Sequence, residues 1–254
     1  MAVVEHVPKI HGRGTTEAAW RQSRWLAALP LLDMQALLAP ARRLVVVSPH
    51  PDDEVLGCGG AIASARRRGL PVVLVAVTDG EACYPGDAWW TPQRLRQVRR
   101  QELECAAQVL GVGAEAIVHL GVADGGVAAQ EPTIAAQLAQ LLQPGDLLLT
   151  TWRGDGHPDH EATARACIQA AAKCGATLAE FPVWAWHWLS AAGADSPLPA
   201  AARHALPDAI QQAKRQALAC FASQLGRGAH AVAEPILPPH VLERFERGYE
   251  VFLR

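Results

Sequence analysis

The chain has 254 residues, half of them hydrophobic and 19% charged, with a formal net charge of −2. That composition excludes a disordered segment and the basic footprint of a nucleic-acid binder, so a small molecule is the expected partner. No apolar run reaches the roughly 18 residues of a membrane span, the opening "MAVVEHVPKIHGRG" lacks a signal-peptide layout, and six cysteines without a CxxC pair suit a reducing compartment, so the expected location is the cytoplasm.

Residues 15–39 combine threonine caps with helically spaced apolar residues interrupted by Pro30, which predicts one or two short helices packed down by Trp20 and Trp25. Five strand-length apolar runs follow: "RLVVVS" (43–48), "PVVLVAVT" (71–78), "AIVHLG" (116–121), "DLLLTT" (146–151) and "TLAEFPVWAW" (177–186). They are near-continuously hydrophobic, as strands covered on both faces must be. Between them, residues 57–68, 92–110, 131–142 and 160–173 carry helical periodicity, with Gly69, Gly111 and Gly175 as stop signals.

This alternation predicts an α/β fold, a Rossmann-like three-layer α/β/α sandwich around a mostly parallel, doubly wound sheet. Beyond residue 187, "SAAGADSPLPAA" reads as a loop or linker, 207–222 as a helix and 234–239 as part of a proline-containing tail. Trp184, Trp186 and Trp188 alternate like one face of a strand and predict a core or interface stripe; Lys214 reads as an exposed helix residue or a packing stem. Length alone favours neither one domain nor two; a single domain over 1–254 is the expectation, with a helical extension (1–42), a motif-bearing core (43–224) and a C-terminal tail (225–254).

The chemistry concentrates where two strands end. "SPHPDDEVLGCGG" (48–60) crowds His50, Asp52, Asp53 and Glu54 against three glycines. The glycines are out of register for GxGxxG, and the acids would repel a pyrophosphate. Carboxylates packed this closely are costly near a dry strand end unless a cation sits among them; the bland alternative is first-turn acids facing a helix dipole after Pro51.

"TTWRGDGHPDHEA" (150–162) repeats the grammar after another strand. In the common order 3-2-1-4-5 the first and fourth strands are neighbours, so the two motifs face one crevice beyond the carboxyl ends. Two histidines and one carboxylate with an open position are what zinc uses in hydrolases, and the same set suits Fe(II).

Together with "TDGE" (78–81), "RRQELECAAQVLG" (99–111), "LGVADG" (120–125), "HPDH" (157–160) and "KRQALACFASQ" (214–224), "HPDDE" (50–54) resembles the LmbE/PIG-L family of zinc-dependent N-deacetylases, over about residues 43–224. The resemblance implies removal of an acetyl group from an N-acetylglucosaminyl conjugate, with Zn2+ held by His50, Asp53 and His160; the ligand set itself leaves Fe2+ as the alternative ion. It implies Asp52 as general base, His157 facing the oxyanion, Asp159 orienting His157, and Arg99 and Asp124 contacting the substrate. Where some relatives carry a tyrosine two residues before the second motif's first histidine, this chain has Asp155.

The roles are chemically coherent. Asp52 is free to take the proton of the attacking water, and a protonated His157 would stabilise the oxyanion. The rival readings are an amidase for a larger acyl or thiol-conjugate amide, and a non-catalytic Rossmann-like binding module.

Overall fold

Strands buried on both faces need helices above and below, and the apolar runs obtain them. The computed structural model describes residue 10 and residues 12–192, 198, 200–227, 230, 232 and 234–254. The strands are β1 (Arg43–Ser48), β2 (Val72–Thr78), β3 (Ile117–Val122), β4 (Asp146–Thr151), β5 (Thr177–Phe181), β6 (Ala201–Ala205) and β7 (Tyr249–Leu253). They form one sheet in the order β3-β2-β1-β4-β5-β7-β6, with β1 to β5 parallel and β7 antiparallel to both neighbours.

The helices are α1 (Glu17–Arg21), α2 (Arg24–Ala28), α3 (Met34–Leu38), α4 (Asp53–Arg67), α5 (Pro92–Val109), α6 (Val127–Leu141), α7 (Pro158–Cys174), α8 (Ala185–Trp188), α9 (Asp208–Leu218) and α10 (Pro239–Leu242). The period of two along each strand divides the core. Val45, Val47, Val75, Val77 and Leu148 face α6 and α7, whereas Leu44, Val46, Leu74, Leu147 and Leu149 join α4, α5, α9 and the terminal segments on the other face. The predicted three-layer arrangement follows.

Four details differ from the sequence reading. The N-terminal segment forms three short helices, because Ser23 and Asp33 cap α2 and α3 by accepting from the Leu26 and Ala36 N–H groups. The run after β5 stops at Phe181, and Trp186 and Trp188 lie on the short helix α8: Trp186 packs edge-on against Trp20 while Trp188 stacks on Trp152. Lys214 is buried and bonded to Leu56 O and Glu250. The segment read as a tail supplies β7, which lies inside the sheet between β5 and β6. Within the predicted linker, residues 193–197 and 199 lie outside the described residues, as do 1–9 and 11 of the extension.

Adjacency of β1 and β4, in register from Arg43 opposite Asp146 to Val47 opposite Thr150, sets the two motif loops side by side at the carboxyl edge. This is the topological switch point of the sheet.

Candidate metal centre and active site

His50 leaves the end of β1, and Asp53 opens α4, where its Oδ2 accepts from the His50 backbone N–H at 3.1 Å. From the β4 side, Pro158 starts α7 and His160 follows in its first turn. One ligating atom from each of His50, Asp53 and His160 falls within a single 4.8 Å group. His50 Nδ1 and His160 Nε2 both lie 3.3 Å from Asp53 Oδ2.

The polar bookkeeping around this group fits a cation. His160 Nδ1 lies 2.8 Å from Asp155 Oδ2; a carboxylate only accepts, so the proton sits on Nδ1 and the Nε2 lone pair points at Asp53. That Nε2 is fully buried and, among the described residues, has no hydrogen-bond partner. A lone pair facing a carboxylate oxygen in a dry site is repulsive unless a positive ion stands between them. The donor set, two imidazoles and one carboxylate with a further carboxylate behind each imidazole, suits zinc and equally Fe(II).

His50 has its own supporting acids. Its Nε2 is 3.1 Å from Asp124 Oδ1 and 3.4 Å from Asp159 Oδ2. Burial opposes charge on this ring, but Asp124, Asp159 and Asp53 outweigh it and hold the imidazole pKa well above its ordinary value. Asp124, read from the sequence as a sugar contact, is thus occupied with His50, and its Oδ2 accepts from the Ala82 N–H at 2.9 Å. Burial acts against its ionisation, yet the His50 bond brings its pKa well below the usual carboxylate range.

Asp52 stands beside the group without belonging to it. Its φ of 132° is a conformation that side-chain-bearing residues rarely adopt, and it turns the chain into α4. The carboxylate accepts from Arg99 at 3.1 Å, while its own N–H donates to Glu54 at 3.2 Å. Burial is the main reason its pKa lies well above the ordinary value; Arg99 pulls it down, and Asp53 and Glu54 push it up. Glu54, which also accepts from Ser48 Oγ, is raised by burial to about 7.

Two of the expected site residues have further partners. Arg99 borders the cavity; its side chain is 3% exposed and donates to Pro51 O, Gly80 O and Asp52. The motif "TDGE" makes room for it, since Gly80 has φ +64° and a Cβ there would collide with the guanidinium. Asp159 meets the His157 ring through its backbone N–H rather than its carboxylate. Its carboxylate accepts from Gly125 N at 2.8 Å and Val127 N at 3.4 Å at the start of α6.

His157 caps α7, its Nδ1 accepting from the Asp159 N–H at 3.2 Å. The ring is packed 4.7 Å from His160 and 5.0 Å from His50, centroid to centroid. Burial, reinforced by those two histidines, lowers its pKa to about 3. With Nδ1 accepting from the backbone, the ring presents Nε2 as its donor nitrogen.

The residue that sequence reasoning missed is Asp155. Fully buried, it accepts from His160 Nδ1 and from the Val183, Trp184 and Ala185 N–H groups, all at 2.8–2.9 Å. The only signal was an acid in the motif loop where some relatives have tyrosine. The whole centre opens into a cavity of about 950 Å³, lined by His50, Asp52, Asp53, Asp124 and His157 at its floor.

The comparisons with known proteins bear on this geometry. Residues 45–171, half of the chain, match the PIG-L family profile, described as GlcNAc-PI de-N-acetylase. A 1D-myo-inositol 2-acetamido-2-deoxy-α-D-glucopyranoside deacetylase of Kineococcus radiotolerans is 31% identical over 59% of this chain and 51% of its own length. A probable N-acetyl-α-D-glucosaminyl L-malate deacetylase 2 of Bacillus anthracis is 29% identical over 52% of this chain and 60% of its own. The chain thus spans only about half to three fifths of these curated relatives. The N,N'-diacetylchitobiose deacetylase of Pyrococcus horikoshii shares the fold, with a TM-score of 0.57 at 21% identity over 75% of this chain and 74% of that one. With two strand-end motifs converging as described and half its residues inside the profile, the chain belongs to the PIG-L family.

Proposed function

We propose that the protein is a metal-dependent deacetylase that hydrolyses the N-acetyl amide of an amino-sugar conjugate. The observation that carries this reading is the convergence of His50, Asp53 and His160 within one 4.8 Å group, with the Asp52 carboxylate beside it and outside it. The relatives printed as deacetylases of a glucosaminyl inositol and a glucosaminyl malate support the substrate class.

His50, Asp53 and His160 would hold the ion, taken as Zn2+. Bound there, such an ion polarises an amide carbonyl and brings the pKa of a water down towards about 7. The protein's own groups do the rest. Asp52, its basicity raised by burial, accepts the proton of the attacking water; Arg99 holds its carboxylate in place, and Asp52 then returns the proton to the departing amine nitrogen. His157 donates its Nε2–H to the oxygen that gains charge as the carbonyl becomes tetrahedral. The cavity admits the sugar from the carboxyl edge of the sheet. A cytoplasmic location is supported by scattered cysteines without a CxxC pair; among the described residues no helix is long and apolar enough to cross a membrane.

The test is amine release from N-acetylglucosaminides by protein stripped of metal and then reloaded with Zn2+ or Fe2+. Activity should need the ion, and Asp52→Asn should bind it as tightly while turnover falls at least about a hundredfold. Turnover by the stripped protein, or near-full turnover by the variant, overturns the assignment.

A further inference from the structure

Above the polar floor, the cavity changes character. Its outer wall is built from the segment Pro235–Pro238, from Val241 on α10, from Trp184 before α8 and from Ile10. None of these residues falls within the stretch 45–171 shared with the family profile. A single N-acetylhexosamine fills only part of about 950 Å³, so the wall has room for a further group.

The wall is built in advance of any ligand. Leu237 is 3% exposed and its N–H donates to Gln224 O at 2.9 Å, which pins the proline segment from below. Arg244 holds the opposite side, donating to Thr15 O at 3.0 Å and to Arg13 O at 2.7 Å, and Thr15 N donates to His187 O at 2.8 Å. This close approach requires Gly14: its φ is +57°, and a Cβ there would stand 2.5 Å from His187 O. Ile236, Trp184, Pro235, Pro238 and Ile10 remain partly exposed into the space they enclose. An apolar concavity fixed on both sides favours ligands that bring apolar surface to it.

We propose that this wall selects amino-sugar substrates bearing an apolar substituent, an alkyl or aryl group carried at the anomeric oxygen or as an extended N-acyl chain. The inference rests on the deacetylase reading for the position of the sugar, and on the wall alone for the apolar preference. Arg13, His187 and His240 also line this end, with Glu234 opposing them, so a carboxylate-tipped substituent is the competing ligand to exclude.

Two substrate series separate the sources of the apolar group: methyl, butyl and hexyl N-acetyl-α-D-glucosaminides, and N-acetyl, N-butanoyl and N-hexanoyl glucosamine. In one of them kcat/KM should rise by about threefold per added methylene, mainly through KM. Ile236→Asp and Trp184→Ala should each bring the hexyl-to-methyl ratio close to one, whereas a general folding defect would lower both substrates and leave the ratio intact. A hexyl chain ending in a carboxylate should lose the gain.

Calorimetric binding of the alkyl glucosaminide products to the metal-free protein reads the wall without turnover. Tightening with chain length supports the wall even if no amide is cleaved, in which case the deacetylase reading alone fails. Flat series together with length-independent product binding, a ratio unchanged in both variants, or tighter use of the carboxylate-tipped chain overturns the proposal.

Discussion

At the scale of single residues, the centre depends on acids that hold its imidazoles from behind. Asp155 takes four N–H donors on two oxygens, and one of them fixes the tautomer of His160. Replacing it with asparagine removes half of that accepting capacity, so Asp155→Asn should weaken Zn2+ binding by about 10–100-fold, read by competition with a chromophoric chelator. Arg99 makes the opposite kind of prediction from a substrate contact. Because it grips Asp52, Arg99→Met should lower kcat at least about tenfold while KM moves little; a change confined to KM would mean that the side chain meets the substrate after all. The convergence of His50, Asp53 and His160, with Asp52 beside them, was legible because the proposed ligands and base follow strand ends closely. The Arg99 grip spans 47 positions, and the backbone donors to Asp155 lie 28 to 30 positions away, so the residue types were visible but their partners were not.

At the scale of elements, α4 carries both Asp53 and an irregularity. Cys58 leaves the helical region at φ −143°, which disturbs the ladder and frees backbone groups on either side. Glu250 of β7 accepts from the Gly60 and Ala61 N–H groups at 2.7 and 2.9 Å, and Lys214 of α9 bridges Leu56 O to the same carboxylate at 2.8 Å. Gly57 must lack a side chain here, since a Cβ would run into the Phe181 ring at the end of β5. Glu250→Ala strands a buried ammonium and two amides at once. It should cost about 3–5 kcal/mol in urea unfolding, a large fraction of the stability of an ordinary domain. β1 to β5 could be read from their continuous apolar runs. "AARHA" and "YEVFL" could not, because their alternation is weak and their pairing joins residues far apart in the chain.

At the scale of the whole molecule, the sheet order gathers the family motifs at one edge, and an acid clamp secures the side away from α7. Asp79 at the end of β2 accepts from Arg100 on α5 and meets His119 on β3 at 3.0 Å. Burial works against its charge, but His119 and Arg100 prevail and bring its pKa from 3.8 to about 2. A depressed carboxylate stabilises the fold above the unfolded value and loses that contribution as pH falls through the folded one. Wild type should therefore exceed Asp79→Asn by about 1–2 kcal/mol above pH 4, after discounting for the solvent-screened Arg100, with the gap closing by about pH 2 in an acid titration.

The late position of Glu250 also matters to a ribosome. It follows Gly60 by 190 residues, so at about 5–20 residues per second the amides it seals emerge on the order of 10–40 s before their acceptor is made. Throughout that interval the nascent polypeptide holds the helix bearing Asp53 unlatched, with the slot between the fifth and sixth strands unfilled. A late-made strand, not the early motif loops, supplies the latch.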